Sequence, residues 1–371
     1  LGSATPSLEA YYRAKKGEYA LYTLNRRARS SILPEVSVVD MREELKNGNR
    51  SIISEALKEQ IEKKLQSEEQ IMLFLNRRGY AGFLSCRSCG HVIKCPHCDV
   101  SLSVHNYGRM ICHYCGYEEK RPEVCPKCGS TFISTFGIGT QQVEQVVRKI
   151  FSHARVLRMD MDTTRTKNGH EKILSAFQNQ EADILIGTQM IVKGHDFPNV
   201  TLVGILAADL SLYADDYKAG ERTFQLLTQA AGRAGRGEKQ GNVIIQTYDP
   251  KHYCIQASAK QDYQAFYEEE MSYRMLADYP PAVFMISIHG SGKDEDHLQK
   301  AMEYLVKVTE RMPEKRAVKI FGPVSESIGK IQDEYRKVIY IKAEEQNVLT
   351  GIKNKLEKYM ELNEGYRSVM I

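Results

Sequence analysis

The chain has 371 residues, room for two to three domains that each bury a core. Hydrophobic residues make up 42% and charged residues 26%, ordinary globular values that exclude wholesale disorder, a collagen repeat and a coiled coil. Lys and Arg number 51 against 47 Asp and Glu, and this net charge of +4 permits a polyanionic partner without requiring one.

In chain order, Glu35–Asp40 (EVSVVD) and Gln70–Leu75 (QIMLFL) predict strands, and apolar residues at helical spacing over Ile52–Leu65 predict a helix between them. After a cysteine-rich block the alternation resumes. Helix Thr140–Phe151, strand Ala154–Met159, helix Glu171–Phe177, strands Asp183–Ile186 and Val200–Leu206, helix Phe224–Ala230 and strand Asn242–Tyr248 are expected. Strands alternating with helices of this length predict an α/β fold, a parallel sheet covered on both faces, with the cysteine block as an insertion. The longest apolar stretch, near Val200 to Ala208, is far shorter than a membrane span.

Beyond Asp249-Pro250 the texture changes. Helix Tyr263–Met275, a break at Pro280-Pro281, strand Val283–His289, helix Leu298–Val308, strands Ala317–Phe321 and Lys337–Ile341 and helix Val348–Leu356 suit a split βαβ layout of α+β type. The expected domains are therefore 1–84 with 129–250, an insertion at 85–128, and a smaller α+β domain at 251–371. Cys254 reads as a small buried apolar side chain. The opening Leu1-Gly2 has no charged n-region or h-region behind it, so a cytoplasmic fragment is expected.

Eight of the nine cysteines lie in four Cys-x-x-Cys pairs: Cys86 and Cys89, Cys95 and Cys98, Cys112 and Cys115, Cys125 and Cys128. Each knuckle offers two thiolates from one tight turn, and Zn2+ takes four in a tetrahedron, so two closed structural zinc sites are expected. Ser101–Val104 and Arg109–Ile111 flank Asn106-Tyr107-Gly108, which predicts a β-hairpin. That hairpin brings Cys95 and Cys98 beside Cys112 and Cys115, leaving Cys86, Cys89, Cys125 and Cys128 for the other site. His91, His97, His105 and His113 are expected bystanders. Tyr107, Arg109, Tyr114 and Tyr117 offer aromatic and cationic groups that could stack on unpaired bases, although stapling a loop without a core is the plainer role for the metals.

Two glycine-rich segments carry further signal: Ile186-Gly187-Thr188-Gln189-Met190 running on through Lys193-Gly194-His195-Asp196-Phe197, and Gln229-Ala230-Ala231-Gly232-Arg233-Ala234-Gly235-Arg236. Both fall where a strand or helix ends, the place where α/β sheets hold ligand loops. Arg233 and Arg236 are three apart, so on a helical turn both guanidinium groups face one anion, and the small residues between them allow another backbone to come close.

With Ser3-Ala4-Thr5-Pro6-Ser7, these segments resemble motifs III, V and VI of superfamily 2 helicases. The zinc knuckles inserted after Leu75-Asn76-Arg77-Arg78-Gly79-Tyr80, with Ile244-Ile245-Gln246-Thr247-Tyr248 and Tyr279-Pro280-Pro281, narrow the resemblance to the PriA family of primosomal replication-restart helicases (primosomal protein N′). The resemblance covers essentially the whole chain and implies a second RecA-like helicase lobe with a two-zinc insertion and a C-terminal domain. It implies Arg236 as an arginine finger, Arg233 as a second nucleotide contact and Gln229 as a residue of the interlobe cleft. Thr188, Gln189, Lys193, Gly194 and Asp196 would couple DNA to that cleft. It further implies ATP and Mg2+ in the full-length protein. The implied partners are forked and single-stranded DNA, single-stranded DNA-binding protein, and primosome and helicase-loading proteins, with no membrane.

The chain has no Gly-x-x-x-x-Gly-Lys-Ser/Thr. Gly290-Ser291-Gly292-Lys293 and Asp294-Glu295-Asp296-His297 mimic nucleotide motifs at the wrong spacing and read as a solvated turn. The resemblance thus implies an arginine finger without its triphosphate, and no ATP hydrolysis by this piece alone. A non-motor zinc scaffold for nucleic acid or protein, and another superfamily 2 translocase, remain alternatives.

Overall fold

The computed structural model describes residues 2–24, 33–76, 83–86, 88–89, 91–104, 109–136, 139–160, 163–164, 169–192, 197–214, 216–237, 239–362 and 369–371. In chain order the elements are helix α1 (Leu8–Lys15), strand β1 (Glu35–Asp40), helices α2 (Met41–Lys46) and α3 (Glu55–Gln66), strands β2 (Gln70–Leu75), β3 (Phe83–Cys86), β4 (Ser103–Val104), β5 (Arg109–Ile111), β6 (Glu118–Lys120) and β7 (Ile133–Phe136), and helix α4 (Thr140–Ile150). There follow β8 (Val156–Met159), α5 (Gly169–Gln178), β9 (Ile184–Gly187), α6 (Gln189–Val192), β10 (Val200–Leu206), α7 (Ala219–Ala231), β11 (Asn242–Thr247), α8 (Tyr253–Lys260), α9 (Tyr263–Leu276), β12 (Phe284–Gly292), α10 (Glu295–Glu310), β13 (Val318–Ile331), β14 (Glu334–Ala343) and α11 (Gln346–Leu362).

The chain divides into two units, Leu1–Gly79 with Ile138–Glu270, and Tyr80–Gly137 with Met271–Ile371. The first is an α/β layer structure. Its six strands lie in the order β1-β11-β10-β2-β9-β8, every neighbouring pair parallel. All residues of the inner strands β2 and β10 are buried, which is why they read as unbroken apolar runs. One face packs Phe74, Phe177 and Leu227 under α5 and α7, and the other packs Leu57, Ile61, Val143 and Val147 under α3 and α4. The Ser54 hydroxyl starts α3 by accepting from the Leu57 N–H at 3.2 Å. Helices α1, α2 and α8 were not expected from periodicity. They are short, and the first two bury a single residue each, Leu8 and Met41.

The second unit holds two antiparallel sheets. The cysteine block builds the order β6-β5-β4-β3-β7, and the C-terminal residues build β12-β14-β13 with α10 and α11 over one face. That second sheet is the expected α+β layout. β13 runs to Ile331 rather than stopping near Phe321: the register shifts between Phe321 and Val324, and β14 carries the pairing past Gly322-Pro323. The segment read as a solvated turn is different in the structure. Gly290 and Gly292 are buried at the end of β12, and a Cβ at Gly290 would meet Met302 Sδ at 2.5 Å. Asp294 caps α10, its carboxylate accepting from the His297 N–H at 2.9 Å. Gly290 serves close packing of α10 on β12. Among the described residues no helix is long and apolar enough to cross a membrane.

Candidate metal centres and motor motifs

The four knuckles share one local geometry. In each, the first cysteine's N–H donates to the carbonyl five residues on: Cys86 to His91 (2.8 Å), Cys95 to Val100 (2.9 Å), Cys112 to Tyr117 (2.8 Å) and Cys125 to Ser130 (2.8 Å). β4 pairs with β5 in antiparallel register, Ser103 against Ile111 and Val104 against Met110, so the chain returns as the hairpin requires; its turn and His105 lie outside the described residues. β3 pairs with β7, which brings the first knuckle beside the last. The eight sulfurs gather as Cys86, Cys89, Cys125 and Cys128, and as Cys95, Cys98, Cys112 and Cys115, all within 4.8 Å of one another in each set.

The spacing suits metal and not disulfides. Sulfurs of Cys86 and Cys128 are 3.6 Å apart, Cys89 and Cys125 3.7 Å, and Cys95 and Cys115 3.6 Å. A disulfide needs about 2.05 Å, whereas four thiolates about 2.3 Å from Zn2+ stand about 3.8 Å from one another. The thiols also resist ionising together. Burial opposes the Cys86 thiolate, but the N–H groups of Cys89 and Ser88 and the sulfurs of Cys128 and Cys89 outweigh it and bring the pKa to about 6. At Cys95, burial and the thiols of Cys115 and Cys112 overcome the His97 N–H and push it up to about 12. A dication is what lets four thiolates share a centre. The two clusters thus fit two zinc ions, held by sulfur alone with no open position for chemistry.

Among the described residues, the histidines stay outside both sets: His97 bonds Asp333 at 2.7 Å, and His113 is exposed. Of the aromatic and cationic side chains read as able to stack on bases, Tyr114 is exposed and Arg109 is exposed but paired with Glu118 at 3.3 Å. Tyr117 is instead half-buried, edge-on to His97, with its hydroxyl donating to Glu119, because it packs against the cysteine cluster. Tyr107 lies outside the described residues.

The two glycine-rich segments sit on the first unit. Thr188 follows the carboxyl end of β9, and Gln189 opens α6 with its side-chain nitrogen enclosed and without a partner among the described residues. A Cβ at Gly187 would meet Ile191 Cγ2 at 2.5 Å and the Met159 carbonyl at 2.7 Å, so only glycine fits before that helix. Lys193, Gly194 and Asp196 lie outside the described residues.

Gln229 is exposed on the last turn of α7, but the helix stops at Ala231, with the Gly232 N–H closing on the Thr228 carbonyl at 2.9 Å. Arg233 and Arg236 are therefore carried by a turn and not by the helical turn the spacing suggested. Gly235 takes φ +69°, and the place of its missing Cβ is 2.3 Å from the Gly241 nitrogen. The small residues do admit a second backbone. Gly235 N–H donates to the Val200 carbonyl at 2.9 Å, and Arg236 Nε to the Gly232 carbonyl at 2.8 Å. Arg233 is half-buried and Arg236 exposed.

Strand direction separates the two segments. Thr188 and Gln189 stand at the carboxyl edge of the sheet, and the arginine turn is fixed at the amino ends of β10 and β11. Beside the arginine turn, the Pro198 carbonyl is 2.6 Å from the Cβ position of Gly237. The carboxyl edge also holds residues to which sequence reasoning gave no role. Asn76 is 1% exposed, donating to the Ala208 carbonyl and the Ser211 hydroxyl at 2.6 and 2.7 Å. Ala207 has φ +50°, a strained left-handed position, just before buried Asp209. Their apolar flanks disguise them as the ends of core strands.

Three family profiles match in sequence: a helicase conserved C-terminal domain over 131–238, the PriA DNA helicase Cys-rich region domain over 95–120, and the primosomal protein N C-terminal domain over 275–370. The chain is 49% identical to a replication restart protein PriA of Bacillus subtilis over 100% of this chain and 46% of the relative. It is 44% identical to that of Synechocystis over 92% of this chain and 42% of the relative, and 35% identical to that of Borreliella burgdorferi over 98% and 54%. It spans about half the length of the curated relatives it matches. Over the stretch it spans, with its α/β helicase lobe, its two four-cysteine clusters and its C-terminal sheet, the chain belongs to the PriA family.

Proposed function

We propose that this chain is the C-terminal portion of an ATP-dependent 3′ to 5′ DNA helicase that remodels stalled replication forks and initiates primosome assembly for replication restart. The observation that carries the reading is the arginine turn, clamped by backbone on Val200 and Gly241 in a chain similar to replication restart proteins along its whole length.

In this reading residues 1–84 and 129–250 form the second motor lobe, 85–128 the zinc insertion and 251–371 the C-terminal domain. Arg236 is the arginine finger, Arg233 a second phosphate contact and Gln229 a lining residue of the cleft. ATP with Mg2+ supplies the phosphoryl group. The protein's share is a guanidinium held at a fixed place, so that the charge growing on the phosphoryl oxygens is met without reorganisation. Thr188, Gln189, Lys193, Gly194 and Asp196 grip the strand through phosphates, which makes the contact indifferent to sequence. Because the segment that carries them ends against the arginine turn at Pro198 and Gly237, a shift at one edge of the sheet reaches the other. The eight cysteines hold two Zn2+ as structural ions. The partners are forked and single-stranded DNA, single-stranded DNA-binding protein and helicase-loading proteins, and the site of action is the cytoplasm.

The test is Arg236→Ala in the full-length protein. DNA-stimulated ATP turnover falls by on the order of 10³-fold while fork binding is kept. Unwinding that survives the substitution would reject the motor reading in favour of a docking scaffold.

A further inference from the structure

The two-residue turn between β13 and β14 reaches back to the cysteine block, 234 residues away along the chain. The Gln332 N–H donates to Cys98 Sγ at 3.2 Å. The Asp333 N–H donates to the His97 carbonyl at 2.9 Å, and the Asp99 N–H to the Lys330 carbonyl at 2.8 Å. Side chains add to this: Asp333 Oδ2 meets His97 Nδ1 at 2.7 Å, Gln332 Nε2 donates to the Tyr114 carbonyl at 3.1 Å, and Lys330 Nζ donates to the Pro96 carbonyl at 3.3 Å. Ile331 packs beside the buried cysteines. Among the described residues, the Cys86, Cys89, Cys125 and Cys128 set receives no such bond from residues 271–371.

The turn is also costly in backbone terms. Gln332 and Asp333 have φ of +53° and +62°, the left-handed pair of a tight hairpin that Asn-Gly or Gly-Gly adopts without strain. Non-glycine residues stand there, and each places its side chain on the knuckle. An N–H aimed at a metal-bound thiolate disperses its charge, and groups that orient ligands from behind raise metal affinity.

We propose that this turn is the outer layer of the Cys95, Cys98, Cys112 and Cys115 zinc site, so that the metal and the C-terminal sheet stabilise each other, while the other zinc site is an independent staple. The zinc of the first site is then a joint between insertion and C-terminal sheet. Such coupling is reciprocal: what holds the metal is held by it. The inference rests on zinc at the cysteines and is independent of the motor reading.

The experiment uses the zinc-loaded chain and a chromogenic chelator. Cys112→Ser and Cys125→Ser assign the two release phases. The double variant Gln332→Gly and Asp333→Gly keeps the positive φ, and so the turn, but removes both side-chain contacts. It speeds release from the Cys95 set about tenfold and leaves the other phase unchanged. In the reverse direction, Cys112→Ser raises amide exchange in residues 318–343, whereas Cys125→Ser does not. Equal acceleration of both phases in the double variant, or equal exchange in the two cysteine variants, overturns the proposal.

Discussion

The six-stranded sheet and the cysteine-rich sheet make their interiors by opposite means. The first packs large apolar side chains on both faces, Phe74, Phe177 and Ile245 on one and Leu57, Leu73 and Val147 on the other. The second has strands of two to four residues, and half of its buried cluster is sulfur: Cys86, Cys95, Cys98, Cys112 and Cys125 beside Leu84, Ile93, Leu102, Met110 and Ile133. Strands that short do not hold together by burial alone. One region therefore depends on methylene groups and the other on ions, and each is vulnerable where the other is not.

Removing zinc tests this contrast most severely. Structural zinc contributes on the order of 10 kcal/mol in small zinc domains. Chelation therefore abolishes amide protection across the described residues 83–136 while β2, β10 and β11 keep theirs; uniform loss over both regions would dissolve the contrast. Leu73→Ala attacks the other side. Leu73 is fully buried in the central strand, and its truncation costs about 3 kcal/mol in denaturant unfolding of the α/β unit with zinc content unchanged.

Acid sharpens the contrast further. Glu69, just before β2, is buried against Lys64 at 2.9 Å and Lys239 at 2.7 Å. Burial raises its pKa, but the hydrogen bonds from Lys239, Thr201 and Lys64 outweigh that and lower it from 4.5 to about 2. A depressed carboxylate stabilises above its ordinary range, so the contribution is complete above about pH 5 and lost as the pH falls toward 2. Glu69→Gln therefore costs about 2 kcal/mol at neutral pH and flattens the acid limb of the stability profile; an unchanged limb counts against the ion cluster. The smallest effect is Asp294→Ala, which removes the cap of α10 and lowers the thermal midpoint by an amount equivalent to about 1 kcal/mol without altering zinc stoichiometry.

Much of the α/β unit was legible in the chain. Gln70–Leu75 and Val200–Leu206 have the bounds their apolar patterns suggest, since a strand buried on both faces leaves an unbroken local signature, and the edge strand Glu35–Asp40 has the bounds of its β-branched run. The nested cysteine sets were legible because a hairpin between the second and third knuckles leaves the outer pairs to each other. β3 and β7 were not legible: they are four residues each, and they pair across the whole cysteine block.

The residues by themselves determined the kinds of layers, the eight sulfur ligands and the candidate arginines, because periodicity and spacing are local properties. The tertiary structure alone decided that the turn bearing Arg233 and Arg236 closes on Val200, that the two glycine-rich segments stand at opposite edges of one sheet, and that Gln332 reaches Cys98. Each of those depends on which distant backbone occupies a given space, the Val200 carbonyl at the Gly235 N–H above all, and no short stretch of sequence records what will arrive beside it.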